Sequence, residues 1–176
     1  MHVRRGDSCA LRSRYCPTNL TEAYFVKAAT LRAAYGVNRL LVTTDDPVAA
    51  DMCRRRPLGF ECHTMPMNRV RFQSSTSIEL RVAKHELECT GSNCRDDPLS
   101  ASEIALGALA DIDMLADCSY LVVNLRASMS RLALGMAVAR HGRFVPFISV
   151  QWPWGGRPGG FRPGGRASVE KWHRKP

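Results

Sequence analysis

The sequence predicts an α/β fold, a Rossmann-like parallel sheet with helices on both faces. Three observations carry this. Short β-branched apolar runs recur along the chain, segments with helical periodicity and glycine stops separate them, and the resulting order is βαβαβα(α)βαβ. Parallel strands need such helical crossovers, so the order itself argues for a parallel sheet. With 176 residues, 45% hydrophobic and 23% charged, the chain has the length for one domain with a real core and not for two.

The first strand is "HV" at 2–3, running at once into Arg4, Arg5, Gly6 and Asp7. "TNLTEAYFVKAATLRAAYG" (18–36) places Ala23, Val26, Ala29 and Ala33 at helical spacing and ends on a glycine, which predicts an amphipathic helix. "VNRLLVTT" (37–44) reads as a buried strand. Asp46 before Pro47 opens a second helix over 45–56, because proline suits the first helical position. "FECHTM" (60–65) is a weak third strand. Residues 66–100 are the least regular, with a helix expected over 77–89 and a loop over 90–100. Ser100 and Glu103 form a capping box for a helix reaching about Asp117. "YLVVNL" (120–125) is a buried strand. "SMSRLALGMAVARHG" (128–142) is a helix with Met129, Leu132 and Met136 on one stripe and Gly142 past its end. "RFVPFISVQW" (143–152) is a last strand, placed at a sheet edge by its proline.

Residues 1–152 are therefore expected to form the folded domain and 153–176 a disordered Gly/Pro/Arg tail with two RPGG copies, too poor in apolar residues to bury a core. The tail dominates the charge. Residues 151–176 carry six Arg or Lys and one Glu, out of a net +9 for the chain. The rest is only mildly basic, so nucleic acid is not expected as the partner of the folded part. No apolar run is long enough to span a bilayer, and charge begins at Arg4 without the apolar segment of a signal peptide. Seven cysteines lean towards an oxidising lumen; the spacings of Cys9/Cys16 and Cys89/Cys94 suit short disulfide loops, and the odd count leaves a thiol over. No CxxC or His pair stands at ligand spacing, so no metal is expected.

Ligands of open parallel sheets bind outside the carboxyl ends of strands. At those ends stand Arg4, Arg5 and Gly6, then Thr43, Thr44, Asp45 and Asp46, then Asn124 leading into a helix near Ser128. Two guanidiniums, small hydroxyls and a helix N-terminus make a cradle for a diphosphate. On the helix ending near Asp117, Asp111 interrupts the apolar face of Ile104, Ala108 and Leu115, whereas Asp113 and Asp117 lie on the polar face. A half-buried acid there needs a donor, either a guanine edge or a neighbouring arginine.

Three stretches, "HVRRGD", "VTTDDPVA" and "LADIDMLADCSYLVVNLRASMSRLA" (109–133), resemble in order the three motifs of the eukaryotic α1,6-fucosyltransferases and of their bacterial and protein O-fucosyltransferase relatives. The resemblance covers most of residues 1–133, and the third stretch aligns without a gap. It implies the nucleotide-binding half of a GT-B enzyme that transfers fucose from GDP-fucose to a glycan or glycoprotein acceptor, with inversion, without metal, in the Golgi lumen. Arg4 and Arg5 would hold the β-phosphate, Asp45 and Asp46 would be an acidic pair needed for activity, and Asp111 would read guanine. His2, Asp7, Ala127 and Ser128 would complete the GDP-fucose site. The sequence departs from the pattern at Ala127, where the family offers a serine, and at Arg12, where it offers an acid proposed as general base. The acceptor-side domain that precedes the first motif in the family is missing from this sequence. The other reading is a non-catalytic nucleotide- or nucleic-acid-binding module, favoured by the basic tail and the absent base.

Overall fold

The computed structural model describes residues 1–11, 16–17, 19–73, 76–77, 80–81 and 101–151. The expected helix over 77–89, the 90–100 loop, Cys89, Cys94 and the tail lie outside these residues or largely so. The fold is mixed α/β with short parallel strand pairs. Strand β1 (His2–Val3) pairs with β3 (Thr43–Thr44), β2 (Arg39–Leu41) with β4 (Glu61–His63), and β5 (Leu121–Val123) with β6 (Phe147–Ser149), each pair parallel. The expected strand over 37–44 is thus β2 and β3 in succession. Val42 stands between them, its N–H donating to the His63 carbonyl at 2.8 Å. Strand β1 is also in contact with β5.

Among the described residues, five α-helices accompany the strands: α1 (Gly6–Leu11), α2 (Val26–Tyr35), α3 (Pro47–Arg54), α4 (Ala101–Ala116) and α5 (Ser128–His141). Helix α1 is not expected from the sequence, where residues 4–7 read as a strand end. A wide π-turn, Thr21–Phe25, feeds α2. Asp46 caps α3 by accepting from the N–H groups of Val48 (2.6 Å) and Ala49 (3.1 Å), as its place before Pro47 predicts. Gly36 and Gly142 end α2 and α5. Pro146 precedes β6 rather than interrupting it, and its carbonyl accepts from the Leu121 N–H.

Side chains of β5 alternate between two cores. Val122 joins the cluster of Met1, Val3, Tyr24, Phe25, Ala28, Leu31, Leu40, Val42, Ala49 and Cys53, whereas Leu121 and Val123 pack with Ile112, Leu115, Ala133 and Ala137. β1 alternates likewise: Val3 enters the first cluster, and His2 turns to Ser130 on α5. The buried helix faces correct two expectations. The α2 region buries Tyr24, Phe25, Ala28 and Leu31, leaving Val26 39% exposed. Helix α5 buries Ser130, Ala133 and Ala137 and leaves Leu132 51% exposed. Close approach of α5 to β5 selects small residues, so size outranks hydrophobicity there.

Cys9–Cys16 is bonded as its spacing suggests, and so is Cys53–Cys62, which the spacing did not flag. The latter ties the end of α3 to β4, with Cys53 fully buried in the first core. Replacing both Cys53 and Cys62 by alanine is expected to cost about 2–3 kcal/mol by the loop-closure account. Denaturant unfolding with and without reductant measures it; a loss under about 0.5 kcal/mol would mean that packing alone holds this edge.

Candidate functional site

Because β1 and β3 are in register, His2 against Thr43 and Val3 against Thr44, the residues that follow them meet. Arg4 donates through Nη1 to Asp45 Oδ2 and through Nη2 to Asp7 Oδ1. The Arg5 backbone N–H donates to Asp45 Oδ1 at 2.8 Å, and Arg5 Nη1 lies 3.2 Å from Asp46 Oδ2. The repulsion between adjacent arginines is thereby offset by three carboxylates, and the cluster carries a formal charge of −1 rather than the bare positive charge that the sequence suggested. Such half-buried pairs gain little net energy, since desolvation consumes much of the attraction; what they fix is geometry. Arg5 Nε is buried and without a hydrogen-bond partner.

Of the two hydroxyls, that of Thr44 is committed, donating to the Val3 carbonyl and accepting from the Asp46 N–H, whereas Thr43 Oγ1 is buried with no hydrogen-bond partner among the described residues. Gly6 opens α1 at φ +22°, and a Cβ there would stand 2.5 Å from Asp45 Oδ2. The clasp therefore requires a residue without a side chain at this position.

A second contact ties the clasp to the end of β5. His2 Nδ1 lies 2.6 Å from Ser130 Oγ, which also accepts from the Asn124 N–H at 3.1 Å. Ser130 Oγ–H can then donate to Nδ1, which leaves the ring proton on Nε2. Burial, reinforced by the Met1 ammonium and Arg4, pushes the His2 pKa down to about 3, so the ring is neutral at pH 7. His2 is 3% exposed and faces Ser130, not an open crevice. Tyr24, another buried residue that no motif flagged, sits beside Asn124 and Arg5, and burial raises its phenol to about 12.

Asn124 Oδ1 accepts from the Arg126 N–H and its carbonyl from the Ala127 N–H, a tight turn that starts α5. Ala127 is the N-cap and offers no side-chain acceptor. Ser128 is exposed, its Oγ accepting from Arg131 Nη2 at 3.1 Å. The first N–H groups of this helix have no intrahelical acceptor, and its dipole favours an anion.

Asp111 stands apart from the clasp. It is 8% exposed, on the α4 face with Ile104 and Leu115 as its spacing predicts, and its Oδ1 is buried with no hydrogen-bond partner. Burial raises its pKa to about 6, against the pull of Arg69 and the Met1 ammonium. No ion pair reaches it among the described residues, so the expected alternative of a direct salt bridge is not what holds it. Asp113 and Asp117 lie on the polar face and pair with Arg140, each at 2.6 Å.

Arg69 is the residue that sequence reasoning missed. It is 4% exposed and donates through Nε to the Thr44 carbonyl (2.8 Å), through Nη1 to the Met67 carbonyl (3.2 Å), and through Nη2 to the Met65 carbonyl (2.6 Å) and Thr64 Oγ1 (2.9 Å). Among 21 arginines nothing local distinguished it. Arg12 lies outside the described residues, and no group of three His, Cys, Asp or Glu among the described residues is placed to hold a metal ion. Comparison of the chain with family models, with curated proteins and with solved structures finds no match.

Proposed function

We propose that this chain binds GDP-fucose at the carboxyl edge of its strands, as the nucleotide-binding part of an inverting, metal-independent fucosyltransferase acting on a glycan or glycoprotein. The observation that carries the reading is the convergence of three strand ends. Arg4 and Arg5 follow β1, Asp45 and Asp46 follow β3, and the α5 N-terminus follows β5, with His2–Ser130 joining the first to the last. Each strand pair is parallel and β1 also contacts β5, which suits a doubly wound sheet with its ligand crevice at the β1–β5 junction. The motif resemblance supplies the identity of the donor, and two disulfides suit an oxidising lumen such as the Golgi.

The chemistry follows from the clasp. An incoming diphosphate competes with Asp7 and Asp45 for Arg4, and with Asp46 for Arg5, exchanging carboxylate for phosphate on guanidiniums that these acids already orient. As the bond from fucose to the β-phosphate breaks, charge grows on the diphosphate, and preoriented donors stabilise that charge more than the ground state. The −1 charge of the resting cluster argues against an indiscriminate polyanion site, the other reading.

Calorimetric titration tests this. With EDTA present, GDP is expected to bind and UDP to bind much more weakly. Arg5→Ala should weaken GDP at least about tenfold, about 1.4 kcal/mol, and Arg5→Lys should recover only part, since an ammonium lacks the bidentate fork. Unchanged affinity in Arg5→Ala, or equal affinity for GDP and UDP, would defeat the proposal.

A further inference from the structure

Resting on that reading of the site, we propose that Arg69 is its positioning residue: it staples the 64–69 loop to the carboxyl end of β3 next to Asp45 and Asp46, and keeps Asp111 charged without occupying it. The first half is direct geometry. Arg69 Nε holds the Thr44 carbonyl, one residue before Asp45, while both Nη atoms hold acceptors of the 64–67 stretch. Any movement of this loop therefore moves the strand end that carries the acid pair.

The second half follows from what Arg69 does not touch. A buried cation without an anion is costly, yet all four acceptors of Arg69 are neutral. Asp111 is the carboxylate whose charge acts on it, and Arg69 is in turn the strongest cation acting on Asp111. The other charges around Asp111 are the Met1 ammonium just before β1, itself near Cys118, and on the far face of α4 the Arg140–Asp113–Asp117 group. A contact salt bridge would fill the acceptor positions of Asp111. With Arg69 anchored to backbone, Asp111 has a counter-charge while Oδ1 is left for a ligand's N–H donor.

The test uses Arg69→Met and Arg69→Lys, with two readouts. Carboxyl-carbon NMR follows the ionisation of Asp111 in the ligand-free protein, and calorimetry follows GDP from pH 5.5 to 8. In Arg69→Met the Asp111 midpoint should rise by at least about one pH unit, and GDP affinity at pH 7 should fall at least about tenfold and recover as the pH is raised. Arg69→Lys keeps the charge and loses the fork, so the midpoint should stay near wild type while GDP affinity falls about threefold or more. An unmoved midpoint in Arg69→Met overturns the electrostatic half, and wild-type affinity in Arg69→Lys overturns the staple. If Arg69→Met does not fold, Arg69→Lys still decides: a midpoint that rises as though the charge had gone contradicts the proposal. Failure of the wild type to bind GDP would defeat the functional reading and with it the staple's role at the site, while the ligand-free titration still judges the electrostatic half without nucleotide.

Discussion

Acidified from about pH 6.5 to about pH 4, the His2→Asn variant is expected to gain on the wild type by on the order of 3 kcal/mol, and Asp111→Asn to fall behind it by on the order of 2 kcal/mol. The signs follow from which state binds the proton first. His2 titrates near 3 in the folded chain and near 6.5 when unfolded, so acid protonates the unfolded chain first and stability drains as pH falls through that window. Asp111 titrates near 6 when folded and 3.8 when unfolded, so the folded chain takes the proton first and gains as pH falls from about 6 to about 4. Asparagine at position 2 can still bond Ser130 Oγ but cannot charge. In the wild type the two slopes largely cancel, and each variant exposes the other. Urea unfolding at half-unit pH steps measures both, with parallel curves for all three proteins as the outcome that would refute the assignment.

Gly6→Ala is expected to destabilise by about 3–5 kcal/mol, among the largest losses available to any single methyl. The new Cβ would meet Asp45 Oδ2 at 2.5 Å, Asp45 Cγ at 2.9 Å and the Phe72 carbonyl oxygen at 3.2 Å. Asp45 cannot yield cheaply, since it accepts from both Arg4 and the Arg5 N–H. Gly36→Ala is the control: it shares a positive φ, +71°, but nothing lies within 4 Å of its Cβ, so only the conformational cost of about 1 kcal/mol remains. Thermal and denaturant unfolding of both variants separate steric from conformational cost. A Gly6→Ala loss no larger than that of Gly36→Ala would mean the clasp is soft. GDP affinity at temperatures where Gly6→Ala remains folded should fall with it.

What the sequence made legible was set by local chemistry. Asp46 before Pro47 announced the α3 cap, the run "YLVV" announced β5, and Asp111 announced itself by interrupting an apolar stripe. The sidedness of helices was less legible. Met129, Leu132 and Met136 look like a core stripe by hydrophobicity; Met129 and Met136 do pack half-buried against the second core, but Leu132 faces out and the fully buried positions are Ala133 and Ala137. The paired arginines were visible, but not their countercharges, because Asp7, Asp45 and Asp46 converge only once two parallel strands are in register. Arg69 was invisible for the same reason: its partners are mostly carbonyl oxygens, which every residue has. Cys53–Cys62 crosses from a helix end to a strand, and that crossing is a tertiary fact.

The pairing of β1 with β3 and its contact with β5 also bear on how the chain closes. The partners of β1 are far from it in sequence: β3 follows some forty residues later, and the serine that receives His2 stands 128 positions further along the chain. The core that Val3 and Phe25 enter is drawn from residues up to Phe60, with only Val122 added from β5, so most of it can close before the His2–Ser130 contact exists. Contacts so distant in sequence also make closure slow, and a half-made chain is the form most in need of protection from its neighbours.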